Sequence, residues 1–216
     1  MMDALSSDVP WPKPLKRRLS EDERARRLQE LLDNRPDGPS WVFAFGSLMW
    51  NPCFEYDRSE QAFLEGWERK FHIWTSLARG TPERPGLGLC LEKGESECKG
   101  LVYRLLPEHE EMDWQKLWDR EMVSGIYQAV WMDLTLISGE VVSALTFVVD
   151  PTHIQYAGGL TIPVMSEIIA GASGRYGRCR DYLASTVEEM AKIGVVDPDL
   201  DALLMAVDAH IEQVTD

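Results

Sequence analysis

Between Pro107 and Ser124 apolar side chains return at helical spacing. Trp114, Leu117, Trp118 and Met122 fall on one face at about 100° per residue, which predicts an amphipathic helix. Either side of it the pattern changes to short runs rich in β-branched and aromatic residues, broken by Gly, Pro and charged turns. WVFAF (41–45), QAFLEGW (61–67), RKFHIWTSL (69–77), GLGLCLE (86–92), KGLVYRLL (99–106), AVWMDLTLI (129–137) and EVVSALTFVV (140–149) are the predicted strands. Ser138-Gly139 reads as the turn of a hairpin joining the last two.

From Pro163 onward the pattern is helical to the end. Asp197-Pro198 caps and starts the last helix, whose apolar positions include Leu200, Leu203, Leu204, Val207 and Ile211. Near the other end, Ser20 and Glu23 form a capping box ahead of a polar helix, which NRPDGPS (34–40) closes. The order predicts an α+β fold: a small mixed, mainly antiparallel β-barrel with flanking helices and a helical C-terminal region. The expected division is an extension over 1–40 with one polar helix, then a single domain over 41–216. The barrel would run to about residue 160 and be followed by helices.

The chain has 216 residues, 44% of them hydrophobic, enough for a sizeable core. Its net charge of −14 repels phosphate backbones and anionic lipid, so nucleic-acid and membrane-surface partners are disfavoured. A basic run at Lys16–Arg18 is followed at once by acidic residues and reads as a solvated face. No apolar run approaches the roughly 18 residues that span a bilayer, and the N-terminus lacks the apolar core of a signal peptide, so a cytoplasmic protein is expected. Cys53, Cys90, Cys98 and Cys179 show no C-x-x-C pair, which predicts reduced thiols. His72, His109, His153 and His210 lack metal-ligand spacing, so no metal is expected.

Glu121 falls inside the apolar stripe of the central helix. A carboxylate facing tryptophans and leucine loses hydration, so its pKa moves up, toward the range in which a general base works near neutrality. Arg120 or Arg104 as a partner would instead make it a satisfied structural ion. In FAFGSLMW (43–50), Gly46 and Ser47 interrupt an apolar run. Backbone N–H groups there would cradle a carboxylate, or the pair would be an ordinary turn. RGTPERPG (79–86) offers Arg79 and Arg84 to a second carboxylate, unless both are simply solvated. Tyr127 and Tyr156 sit beside glycines, where a phenol would bond a substrate or pack by its ring.

Five segments, FAFGSLMWNP, RGTPERPG, LWDREMVSGIY, ALTFVVDPTHIQYAGG and DYLASTVEEMAKIGVVDPDL, occur in an order that resembles the ChaC family of γ-glutamylcyclotransferases. The likeness covers roughly residues 41 to 210. It implies a small mixed β-barrel and cleavage of glutathione to 5-oxoproline and cysteinylglycine, with no cofactor. The family's γ-glutamyl-binding G-Y-G-S-L loop matches Ala44, Phe45, Gly46, Ser47 and Leu48, with Phe43 just before it, and its catalytic glutamate matches Glu121. Arg79, Arg84, Arg120, Tyr127 and Tyr156 are further candidate substrate contacts. Two departures stand out. Phe45 replaces a tyrosine, removing a hydroxyl, and Ala44 replaces a glycine, restricting φ. Other γ-glutamyl compounds as substrates, or a non-catalytic γ-glutamyl-binding or transport-regulatory role, are the alternative readings.

Overall fold

A computed structural model describes residues 18–215. They form two compact units. One holds the described residues as far as Arg69 together with Cys90–Asp150; the other holds Lys70–Leu89 and the described residues from Pro151 on. The basic stretch through Arg17 lies outside the described residues.

The first unit is built on a closed barrel of β1 (Trp41–Ala44), β2 (Tyr56–Thr75), β3 (Gly86–Leu105), β4 (Tyr127–Leu136) and β5 (Val141–Val149), in the order β1-β3-β2-β4-β5. β1 pairs antiparallel with β3, placing Phe43 opposite Val102, and parallel with β5, placing Trp41 opposite Ala144. Being paired on both sides, β1 is buried throughout, which fits its unbroken WVFA run. Thr146, itself buried, donates from its hydroxyl to the Phe43 carbonyl at 3.2 Å and stitches β5 to β1. Trp41, Phe43, Ala62, Leu64, Val102, Leu134, Leu136, Ala144 and Val148 belong to one core cluster. Along each strand these residues alternate, as side chains on one face must.

Four predicted strands prove to be two. QAFLEGW and RKFHIWTSL as far as Thr75 lie in the 20-residue β2, and GLGLCLE and KGLVYRLL as far as Leu105 in the 20-residue β3. Gly66, inside the first of these, and Gly94, between the last two, act within long curled strands. Gly66 takes φ +75°, and a Cβ on Gly94 would sit 2.2 Å from the Glu68 side chain. Glu68 accepts from the backbone N–H groups of Glu95 (3.0 Å) and Ser96 (3.2 Å), so a carboxylate takes over where the ladder is distorted. The β4–β5 hairpin turns at Ser138-Gly139 as expected, with Gly139 at φ +88°.

α1 (Glu21–Asp33) begins at the Ser20/Glu23 capping box and packs within the barrel unit. Trp118 donates its indole N–H to the Arg24 carbonyl and Trp131 to that of Leu31, so a buried and a half-buried ring find acceptors on α1. α2 (Glu110–Glu121) buries Trp114, Leu117 and Trp118, and Met122 just beyond it is buried too. The helix is shorter than the pattern suggested. Residues 107–109 form a turn, since Leu106 N–H bonds the Glu55 carbonyl and His109 N–H turns back to Leu106.

The second unit contains the ends of β2 and β3 with α3 (Ile162–Gly171), α4 (Cys179–Lys192) and α5 (Pro198–Thr215). The helical run is interrupted, contrary to expectation, by a small hairpin of β6 (Ser173–Gly174) and β7 (Gly177–Arg178). The reason is backbone bonding elsewhere: Arg175 and Tyr176 N–H groups reach the carbonyls of Leu77 and Ala78. Asp197 caps α5 by accepting from Leu200 N–H, and Leu200, Leu203 and Val207 are buried while Leu204 and Ile211 are half-buried. Among the described residues, no helix is long and apolar enough to cross a membrane.

Candidate functional site

The chain leaves β1 at Ala44, passes Phe45 and Gly46, and enters a 3-10 turn over Ser47–Met49. Met49 N–H returns to the Gly46 carbonyl at 2.8 Å and Asn51 N–H to that of Ser47 at 2.9 Å. The N–H groups of Ser47 and Leu48 therefore stand at the start of the turn, where the turn itself offers no acceptor.

Side chains from three elements pin this loop. Arg69, 3% exposed on β2, donates Nε to the Phe45 carbonyl at 2.5 Å. Tyr103 on β3 donates its hydroxyl to the Met49 carbonyl at 2.7 Å, and burial pushes that phenol's pKa up. Asp113 on α2, fully buried, accepts from Glu55 N–H at 2.9 Å. Arg120, two helical turns further along, donates Nη2 to Ser47 Oγ at 2.7 Å and Nη1 to the Asn51 carbonyl at 2.7 Å.

Glu121 is the last residue of α2. Its side chain is 17% exposed, and its Oε1 lies 3.2 Å from Arg120 Nε. Burial raises its pKa above the ordinary carboxylate range, and the Arg120 guanidinium only partly opposes this. The negative end of the helix dipole acts in the same direction as burial, because a carboxylate at a helix C-terminus meets unpaired carbonyls. Cys53, on the loop, feels both neighbours. Burial pushes its thiol up, Arg120 pulls it down, and Glu121 pushes it up again, so it stays protonated.

Of the two sequence-level partners for Glu121, Arg120 is the one in contact. Arg104 instead grips Asp57 with two bonds, at 2.7 and 2.8 Å. The structure thus joins Glu121 to Ser47 through a single guanidinium. Phe45 packs against the barrel core, and its carbonyl rather than its ring meets Arg69. Ala44 is an ordinary strand residue opposite Leu101. No non-glycine residue among those described has positive φ, so the alanine brings no left-handed strain. Tyr127 opens β4 with its ring edge-on to Phe147 at 6.4 Å.

Arg79 and Tyr156 belong to the second unit. Arg79 donates to the Tyr176 carbonyl and lies 5.0 Å over the Tyr182 ring. Tyr156 bridges to Ile73 and sets its ring edge-on to His72 at 6.3 Å. Arg84 packs so closely on Gly171 that a Cβ there would lie 2.0 Å from its guanidinium. Arg69, Cys53 and Asp113 escaped the sequence reading. Arg69 stands among Glu65, Glu68 and Lys70 on β2, so no local signal sets it apart. All four cysteines are free thiols, and no group of three or more His, Cys, Asp or Glu side chains among the described residues could hold a metal ion.

A glutathione-specific γ-glutamylcyclotransferase of Escherichia coli (strain K12) is 40% identical over 189 residues, which is 87% of this chain and 81% of that protein. The Homo sapiens glutathione-specific γ-glutamylcyclotransferase 1 is 28% identical over 174 residues, 77% of this chain and 78% of its own length. A crystal structure of a γ-glutamylcyclotransferase specific to glutathione from yeast superposes with a TM-score of 0.70 at 21% identity, covering 80% of this chain and 97% of that one. It shares the fold, a mixed barrel with flanking helices. The profile of the ChaC-like proteins matches residues 40–210, and the chain belongs to that family.

Proposed function

We propose that this chain is a γ-glutamylcyclotransferase that releases 5-oxoproline and cysteinylglycine from glutathione, with Glu121 as general base and then general acid. The observation that carries the reading is the coupling of a largely buried carboxylate of raised pKa to the Gly46-Ser47 loop through Arg120. The names of its relatives in Escherichia coli and Homo sapiens point to the same substrate.

The γ-glutamyl α-amine and γ-carbonyl belong to one molecule, so attack of the first on the second closes a five-membered lactam without water. Holding the amine over the carbonyl carbon exploits proximity, worth on the order of 7–11 kcal/mol in well-oriented intramolecular reactions. The amine arrives protonated. Glu121 takes one proton from the ammonium and frees the amine to attack; as the C–N bond forms it gives that proton to the departing nitrogen and removes a second from the ring nitrogen, which the released amine of cysteinylglycine takes up once the amide bond breaks. Backbone N–H groups at the start of the 3-10 turn receive the α-carboxylate, a task that the change to Phe45 leaves intact. A reducing, cytoplasmic setting belongs to the same reading and agrees with the four free thiols.

The test is 5-oxoproline release from glutathione, in parallel with γ-glutamylalanine, by wild type and Glu121→Gln. Turnover of glutathione, abolished in a folded Glu121→Gln, is the expected result. Preference for γ-glutamylalanine would move the substrate to other γ-glutamyl compounds. Substantial residual turnover in Glu121→Gln would remove the glutamate from its role.

A further inference from the structure

Arg120 has three guanidinium nitrogens and three different partners. Nη2 is bonded to Ser47 Oγ at 2.7 Å, Nη1 to the Asn51 carbonyl at 2.7 Å, and Nε lies 3.2 Å from Glu121 Oε1. A clamp for a substrate carboxylate presents two parallel N–H groups to one anion. Here that fork is already spent on the loop, so the sequence-level idea of Arg120 as a substrate clamp does not fit the arrangement. A structural ion pair would likewise turn the fork on Glu121 and hold it well below the usual carboxylate range. Instead the two tight bonds go to the loop and the longest contact to the carboxylate.

We propose that Arg120 is a positioning residue that ties the Glu121 carboxylate to the Gly46-Ser47 loop, fixing the base relative to the site where the γ-glutamyl head is held. This rests on the reading of Glu121 as the base. Dividing one guanidinium among three partners orients the carboxylate without stripping it of proton affinity, as a two-bond pairing would. The direction of its pKa agrees, since burial still outweighs the arginine. The charged and titratable groups around the carboxylate are Arg120 on its own helix and Cys53 on the loop, and the thiol is protonated. Arg120 is therefore the single cation that opposes burial there among the described residues. A lysine would keep the charge, but one compact ammonium on a flexible stem cannot hold three partners in a fixed plane.

The experiment compares wild type, Arg120→Lys, Arg120→Met and Glu121→Gln for kcat, KM and the pH dependence of kcat/KM, with thermal melting as the control for folding. Arg120→Met is expected to lower kcat about 10- to 100-fold, more than it raises KM, because small misplacements of a reacting group cost that much. The acid limb of kcat/KM should move to higher pH, since the opposing cation is gone. Arg120→Lys should restore the position of the limb but not kcat. A folded Arg120→Met with kcat within about twofold of wild type overturns the proposal, as does a rise confined to KM, which would make Arg120 a substrate clamp. If Arg120→Met fails to fold, Arg120→Lys decides, its kcat either reduced as expected or unchanged.

Glu121→Gln separates the two ideas. Turnover surviving in that variant sinks the base itself, whereas a dead Glu121→Gln beside an unaffected Arg120→Lys and Arg120→Met sinks only the positioning role. Carbon-13 NMR titration of the Glu121 carboxyl, assigned by its loss in Glu121→Gln, gives a readout independent of substrate. Its midpoint should rise in Arg120→Met and stay near wild type in Arg120→Lys; an unmoved midpoint in Arg120→Met overturns the contact on which the proposal stands.

Discussion

Glu121 is under tension: burial and the helix C-terminus favour its neutral form while Arg120 favours the charged one, and burial prevails. A carboxyl whose folded pKa lies above its unfolded value binds more protons folded than unfolded. The stability associated with it is complete below the unfolded pKa and is lost as pH rises through the folded one. Glu121→Gln should therefore melt higher than wild type at pH 7 and show no such advantage below the unfolded carboxylate pKa. Melting curves across pH 4 to 8 would check this, and a mutant destabilised at pH 7 would contradict it. The helical stripe made Glu121 legible in advance, because side-chain direction on a helix follows from spacing alone. Its neighbour Cys53 was not legible. That thiol reaches the site only through the course of a loop, which periodicity does not describe.

At the scale of elements, the loop from Phe45 to Glu55 is held by α2, β2 and β3 as well as by its own 3-10 turn. Arg69, Tyr103, Asp113 and Arg120 supply the bonds. Asp113 is the most buried of these, and it also pairs with Lys116 at 2.8 Å. Asp113→Ala leaves the Glu55 N–H without its acceptor, at a cost of about 1–3 kcal/mol. Denaturant unfolding should show that loss, and a midpoint unchanged from wild type would mean water replaces the carboxylate freely. The strand pattern predicted where chain is extended but split β2 at Glu68, just after Gly66, and β3 around Gly94. Whether a glycine ends a strand or bends it depends on the neighbouring strand, here on Glu68 reaching across to Glu95 and Ser96.

Over the whole molecule, the net charge of −14 opposes the approach of an anionic peptide such as glutathione. Raising ionic strength from about 0.01 M to 0.15 M shortens the screening length from roughly 30 Å to 8 Å, so kcat/KM should rise if encounter contributes to it. A fall over the same range would mean that a local cluster of arginines governs approach instead.

Read as a string, the chain determined what depends on near neighbours: the capping box at Ser20, the Ser138-Gly139 hairpin, the cap at Asp197, and the face of α2 that carries Glu121. Each is a matter of a few residues and the fixed geometry of one turn or one strand. Barrel closure through the parallel β1–β5 pair, the bond from Arg120 to Ser47 across 73 positions, and the choice of Arg120 over Arg104 were decided only by tertiary structure. Contacts of that span exist because a common core brings distant segments together in one register, and no local pattern encodes which of two arginines the packing will turn toward a carboxylate.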